Sequence, residues 1–221
     1  GRPGPVYLGF PHEVLYKKIN SSELDDSQLV IPSNPEISDE SCNKFIDLLS
    51  ASSRPVVIAG SGTWYSGAST SIKEFVEKID LPIFTLNFGR GIISDNHENC
   101  LGQASPSALN AFKKITSESD LIILLGVRLS LYIGWGRTFN PSAKIIQVDI
   151  ESEEIGRNRP AHLPIVSDID KALLKVNSKI VNLGLNFSEW INICKEWKDD
   201  EWKEVLRLKN NDEKPLHVLR V

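Results

Sequence analysis

Four short apolar runs constrain this 221-residue sequence more than anything else in it: Pro55–Ala59 (PVVIA), Leu81–Leu86 (LPIFTL), Leu121–Leu125 (LIILL) and Lys144–Ile150 (KIIQVDI). They are too short to be core helices and rich in β-branched residues, and two stop directly at a glycine, Gly60 and Gly126. A run that does not alternate with polar residues is the pattern of a strand buried on both faces. Between the runs lie stretches of helical period. Ser69–Lys78 spaces Ile72, Phe75 and Val76 by three and four, and a helix is expected at about Ser105–Thr116. Leu163–Val166 reads as a further strand running to Asp168, and Ile169–Val176 as helix again. Alternating elements of this kind with right-handed crossovers predict a doubly wound, mainly parallel, Rossmann-like sheet covered on both faces, a three-layer α/β/α fold.

The flanks differ. Residues 1–40 read as an extended arm and linker from a preceding domain. Val6–Pro11 is an edge strand or an arm, and about Asn20–Glu40 is rich in Ser, Asp, Asn and Pro. A helix at Ser41–Leu49 opens a central domain running to residue 186. From 187 to 221, Phe187, Trp190, Ile191, Cys194, Trp197, Trp202, Val205 and Leu208 fall at helical spacing. That stripe is core packing or a docking face for a neighbouring domain. Gly1-Arg2-Pro3-Gly4-Pro5 begins in mid-motif and Lys214–Leu219 breaks off as a new element starts. Both ends predict a piece of a longer polypeptide.

Several function classes drop out. A net charge of −4 gives no electrostatic reason for nucleic acid or an anionic membrane as partner. No apolar stretch has the length of a membrane span. Cys42, Cys100 and Cys194 are odd in number and scattered, which favours a reducing, cytoplasmic setting. His12 and His162 stand apart from the cysteines, and Asp95-Asn96-His97-Glu98 reads as an exposed turn, so no metal site is expected. There is no G-x-S-x-G and no P-loop, and G-x-G-x-x-G fails because Tyr65 stands where the third glycine belongs.

What remains is a set of residues at successive strand ends, where open parallel sheets bind ligands. Gly60-Ser61-Gly62 lets backbone approach a phosphate. Asn87-Phe88 follows the second run. Gly126-Val127-Arg128 follows the third, and an arginine there pairs with a pyrophosphate or stacks on a ring. Asp149 is placed to accept from ribose hydroxyls, and Asp168 to meet an adenine amino group or another ribose edge. Taken singly each is ordinary, since glycines make turns and Asp caps helices. Their recurrence points to a nucleotide.

In order along the chain these residues resemble the central domain of thiamine-diphosphate enzymes: acetolactate synthase, pyruvate oxidase, oxalyl-CoA decarboxylase, 2-hydroxyacyl-CoA lyase and benzaldehyde lyase. The resemblance rests on Gly1–Val6 (GRPGPV) with Pro11–Val14, Arg54–Gly62 (RPVVIAGSG), and Gly89-Arg90-Gly91 with Asp95-Asn96-His97 and Leu101-Gly102. It continues through Gly126–Leu129, Ile146–Glu151 (IQVDIE) and Glu154–Asn158 (EIGRN). It implies FAD or ADP held by Arg2, Gly60, Ser61, Gly62, Gly102, Gly126, Arg128, Asp149, Ile150 and Asp168, with Asn87 and Phe88 beside them. It further implies a parent transferase or lyase, homodimeric or homotetrameric, that binds thiamine diphosphate and Mg²⁺ through its two flanking domains. The family's catalytic Glu lies in the domain before this one and its GDG…N motif in the domain after, so no catalytic residue is expected here. A purely structural domain with a vestigial site is the alternative. Gln103-Ala104-Ser105 after Leu101-Gly102 departs from the Gly-x-His of acetolactate synthases, and Gly134-Trp135-Gly136 is as similar to the CoA-linked lyases, which leaves the subgroup open.

Overall fold

The computed structural model describes residues 1–23, 33–105 and 110–209. Six strands, β1 (Pro55–Ala59), β2 (Ile83–Thr85), β3 (Cys100–Gln103), β4 (Leu121–Leu125), β5 (Lys144–Asp149) and β6 (Leu163–Val166), form one sheet. Every neighbouring pair is parallel, in the order β3-β2-β1-β4-β5-β6. The three-layer, doubly wound architecture expected from the apolar runs is the one observed. β1 and β4 are buried at every position and pair centrally, Val57 standing between Ile83 and Ile123.

Among the described residues, seven α-helices accompany the sheet: α1 (His12–Leu15), α2 (Asp39–Ser50), α3 (Ser61–Tyr65), α4 (Ser69–Lys78), α5 (Asn110–Glu118), α6 (Ile169–Ile180) and α7 (Ser188–Lys209). α2, α4 and α6 pack together as one layer, and α5 with α7 as the other. Edge-to-face ring pairs lock both layers, Phe45 on Phe75 at 5.9 Å and Phe84 on Phe112 at 5.0 Å. The Ser38 hydroxyl caps α2 by accepting from the Ser41 N–H.

Some elements differ from expectation for identifiable reasons. β3 was not anticipated, because Cys-Leu-Gly-Gln has little β-branched character and it is a short edge strand whose register slips between Ile83 and Phe84. α3 occupies what reads as a glycine turn. The second run narrows to three paired residues, and the helix expected from about Ser105 is described from Asn110 to Glu118, with 106–109 outside the described residues. α6 runs past Val176 because Asn177 is buried in it, donating to the Ser71 carbonyl and to Glu74. Val6–Phe10 is exposed and forms no strand.

The tryptophan stripe divides. Trp190 is buried, donates its ring N–H to the Pro55 carbonyl at 3.0 Å and meets Trp197 edge-on, whereas Trp202 is exposed. The Leu208 side chain, residues 210–221 and residues 24–32 of the linker lie outside the described residues. Among the described residues, no helix is long and apolar enough to cross a membrane.

Candidate functional site

The strand order reverses between β1 and β4, and at such a switch point the loops leaving the strands diverge to open a crevice. Here the crevice floor is unusually tight. The Gly60 and Gly62 turn lies directly on the Gly126 turn: a Cβ on Gly60 would stand 2.3 Å from the Gly126 carbonyl oxygen, and one on Gly62 2.7 Å from the Gly126 Cα. Gly62 donates its N–H to the Gly126 carbonyl at 3.2 Å, and Gly126 donates to Val148 at 2.8 Å. The glycines are thus required first by backbone contact between adjacent strand ends.

Above this floor lies a cleft of about 650 Å³, its open mouth included. Ser61, Gly62, Gly126 and Asp168 line it from the β1, β4 and β6 ends, and Arg128, Asp149 and Ile150 from the β4 and β5 ends. Arg2 reaches it from the N-terminal arm. Gly60 lies beneath, in the supporting turn. Asn87 and Phe88 line a separate hollow with Trp64 and Arg90, and Tyr65 borders both spaces. Gly102 lies on edge strand β3 and lines neither. The lining residues not expected from the sequence include Asn34, Tyr65, Ser66, Glu154 and Ile169. Glu154 stands inside the quoted EIGRN stretch, a polar residue shortly after a strand end, and was open to notice. Asn34, in a featureless linker, was not.

Charge in the cleft is organised around Glu154, whose side chain is only 12% exposed. Arg157, Arg128 and Arg2 approach the same carboxylate oxygen at 3.6, 3.7 and 4.0 Å. All three separations exceed hydrogen-bonding distance, so the guanidinium donors are gathered but not consumed. Asp168 is differently placed. Its carboxylate caps α6 through the Lys171 N–H and accepts from Ser66 and Asn34 at 2.8 and 2.9 Å. Capping and linker attachment account for most of its acceptor capacity.

Asp149 is nearly buried and accepts from the Glu151 N–H at 2.9 Å. Burial, with the Glu154 charge adding, pushes its carboxyl above the ordinary 3.8, against the opposing effect of that N–H and of Arg2. The folded chain therefore holds this proton more tightly than the unfolded chain, and stability falls as pH rises from the ordinary value through the raised one. Asp149→Asn keeps the oxygen facing Glu151 and removes the charge. It is expected to melt above the wild type at neutral pH and to lose that advantage below about pH 4. Equal melting temperatures at both pH values would contradict the assignment.

Comparison with known proteins identifies the family of the chain. A family profile described as thiamine pyrophosphate enzyme, central domain, matches residues 42–176. A probable acetolactate synthase large subunit of Methanococcus aeolicus is 34% identical over 86% of this chain and 34% of its own length. Oxalyl-CoA decarboxylase of Escherichia coli K12 is 30% identical over 98% of the chain and 38% of its own length. 2-Hydroxyacyl-CoA lyase 1 of Mus musculus is 31% identical over 77% and 29%. The chain spans about a third of the length of these curated relatives. With the parallel sheet and the family match covering most of it, the chain belongs to the family of thiamine pyrophosphate enzyme central domains.

Proposed function

We propose that this domain is the nucleotide-holding, non-catalytic centre of a thiamine-diphosphate-dependent carboligase or decarboxylase of the acetolactate synthase kind. Its cleft takes an adenine nucleotide, ADP or the ADP half of FAD. The observation that carries the reading is the convergence of Arg2 and Arg128, donors uncommitted, with the buried Asp149 over a backbone floor at the switch point. The arginines suit a diphosphate and Asp149 suits ribose hydroxyls. Ser61, Gly62 and Gly126 shape the floor, Gly60 supports it, and Ile150 and Asp168 wall it. With FAD, the hollow of Asn87 and Phe88 beyond Tyr65 is the place for the rest of the ligand; Gly102 then acts only through the β2–β3 edge.

In this reading thiamine diphosphate and Mg²⁺ belong to the two flanking domains of an oligomeric, cytoplasmic parent, whose cofactor supplies the carbanion chemistry. This chain's own residues bind and orient the nucleotide and tie those domains together. The alternative, a structural domain with a vestigial site, is favoured by the fact that strand contact already explains Gly60, Gly62 and Gly126 and capping explains Asp168. Thermal melting separates the two. ADP or FAD at about a hundred times its dissociation constant stabilises the fold by ~2.7 kcal/mol and raises the melting temperature by roughly 5 °C or more. No shift with either at millimolar concentration supports the vestigial site.

A further inference from the structure

Gln147 is fully buried in the middle of β5, between Ile146 and Val148, where a side-chain amide is costly unless every polar atom is bonded. Both of its polar atoms bond to two loops. Its amide donates to the Val127 carbonyl at 3.2 Å and to the Glu154 carbonyl at 3.1 Å, and its oxygen accepts from the Gly156 N–H at 2.9 Å. Val127 immediately precedes Arg128, and Glu154 and Gly156 lie on the stretch that ends at Arg157. Asn158, at a positive φ of 68°, donates to the Leu129 carbonyl at 2.7 Å and joins the same two loops a second time. Apart from these side-chain bonds, no hydrogen bond found among the described residues ties the backbone of 127–129 to that of 154–158.

We propose that Gln147 is a positioning residue for the diphosphate end of the cleft, fixing the loop that presents Arg128 against the loop that presents Glu154 and Arg157. This rests on the nucleotide reading given above. The spacing of those guanidiniums is set from inside the sheet, because none is held by a direct bond to Glu154. Preorganised donors bind an anion without first having to be ordered. The phosphate part of the affinity therefore depends on Gln147, and the adenosine part does not.

The test uses the full chain with Gln147→Met, which removes all three bonds, and Gln147→Glu, which keeps only the acceptor facing Gly156. Calorimetry with ADP and with adenosine as probes is expected to show ADP binding about tenfold weaker in both variants and adenosine binding within about twofold of wild type. Equal losses for the two probes, or no loss of ADP affinity, overturn the proposal, since a merely structural residue does not change their ratio. Should the Gln147 variants fail to fold, Asn158→Gly, which keeps the positive φ and removes one tie, carries the same expectation. If the wild type binds neither probe, the nucleotide reading fails by itself. The Arg128 Nε–H resonance then decides: a shift in Gln147→Met sustains the positioning role, and an unmoved resonance overturns it.

Discussion

Gly126→Ala is expected to destabilise this chain by about 3–5 kcal/mol, enough to leave a marginal fold largely unfolded. Two penalties coincide at this position. Its φ is +60°, where a side chain costs about 1–2 kcal/mol. Its Cβ would also stand 2.5 Å from the Gly62 Cα and 2.8 Å from the Ile169 Cδ1. The isoleucine can turn away, but the Gly62 backbone is fixed by its own bond to the Gly126 carbonyl, so the two strand ends must part. Gly67→Ala is the control. Gly67 has a similar φ of +68° with nothing within 4 Å of the added carbon, and only the conformational cost is expected. Urea midpoints compare them. If Gly126→Ala and Gly67→Ala lose the same stability, close contact between the β1 and β4 ends is not what fixes the glycine.

The second large effect concerns the ligand and leaves the fold alone. Arg2→Ala combined with Arg128→Ala is expected to weaken ADP binding about a hundredfold or more, near 3 kcal/mol, by removing two charge-assisted partners of the diphosphate. Adenosine binding should change little. Stability should also stay near wild type, because the two side chains are 35% and 46% exposed and stand 4.0 and 3.7 Å from Glu154. Partly exposed ion pairs at such separations contribute little once solvent screening is counted. Isothermal titration gives the affinities and a melt of the unliganded variant gives the stability. A double variant that binds ADP as the wild type does removes the arginines from the site.

What was legible in the sequence follows from what acts locally. PVVIA and LIILL announce themselves because strands buried on both faces admit nothing polar, and both were read to the residue. β3 was missed because an edge strand needs no such composition. Its place comes from pairing with β2, which no local pattern records. In the cleft, Arg128 is visible as a polar residue just past one apolar run and Asp149 as the polar residue closing another. Glu154 and Asn34 reach the same space through loop geometry that only the folded chain defines. Gly60 reads as a phosphate turn and Gly126 enters through the resemblance, whereas the first thing they touch is each other. Gln147 stood inside a strand read correctly, yet its partners lie 7 to 20 residues away along the chain, and nothing near it in sequence signals them.

A crystal structure of the full chain soaked with ADP tests the central claim most directly. The expected result is diphosphate density between Arg2 and Arg128, with the ribose hydroxyls on Asp149, above the Gly62 and Gly126 turns. A cleft without nucleotide at saturating ADP, or nucleotide bound only at the hollow of Trp64 and Phe88, would contradict it.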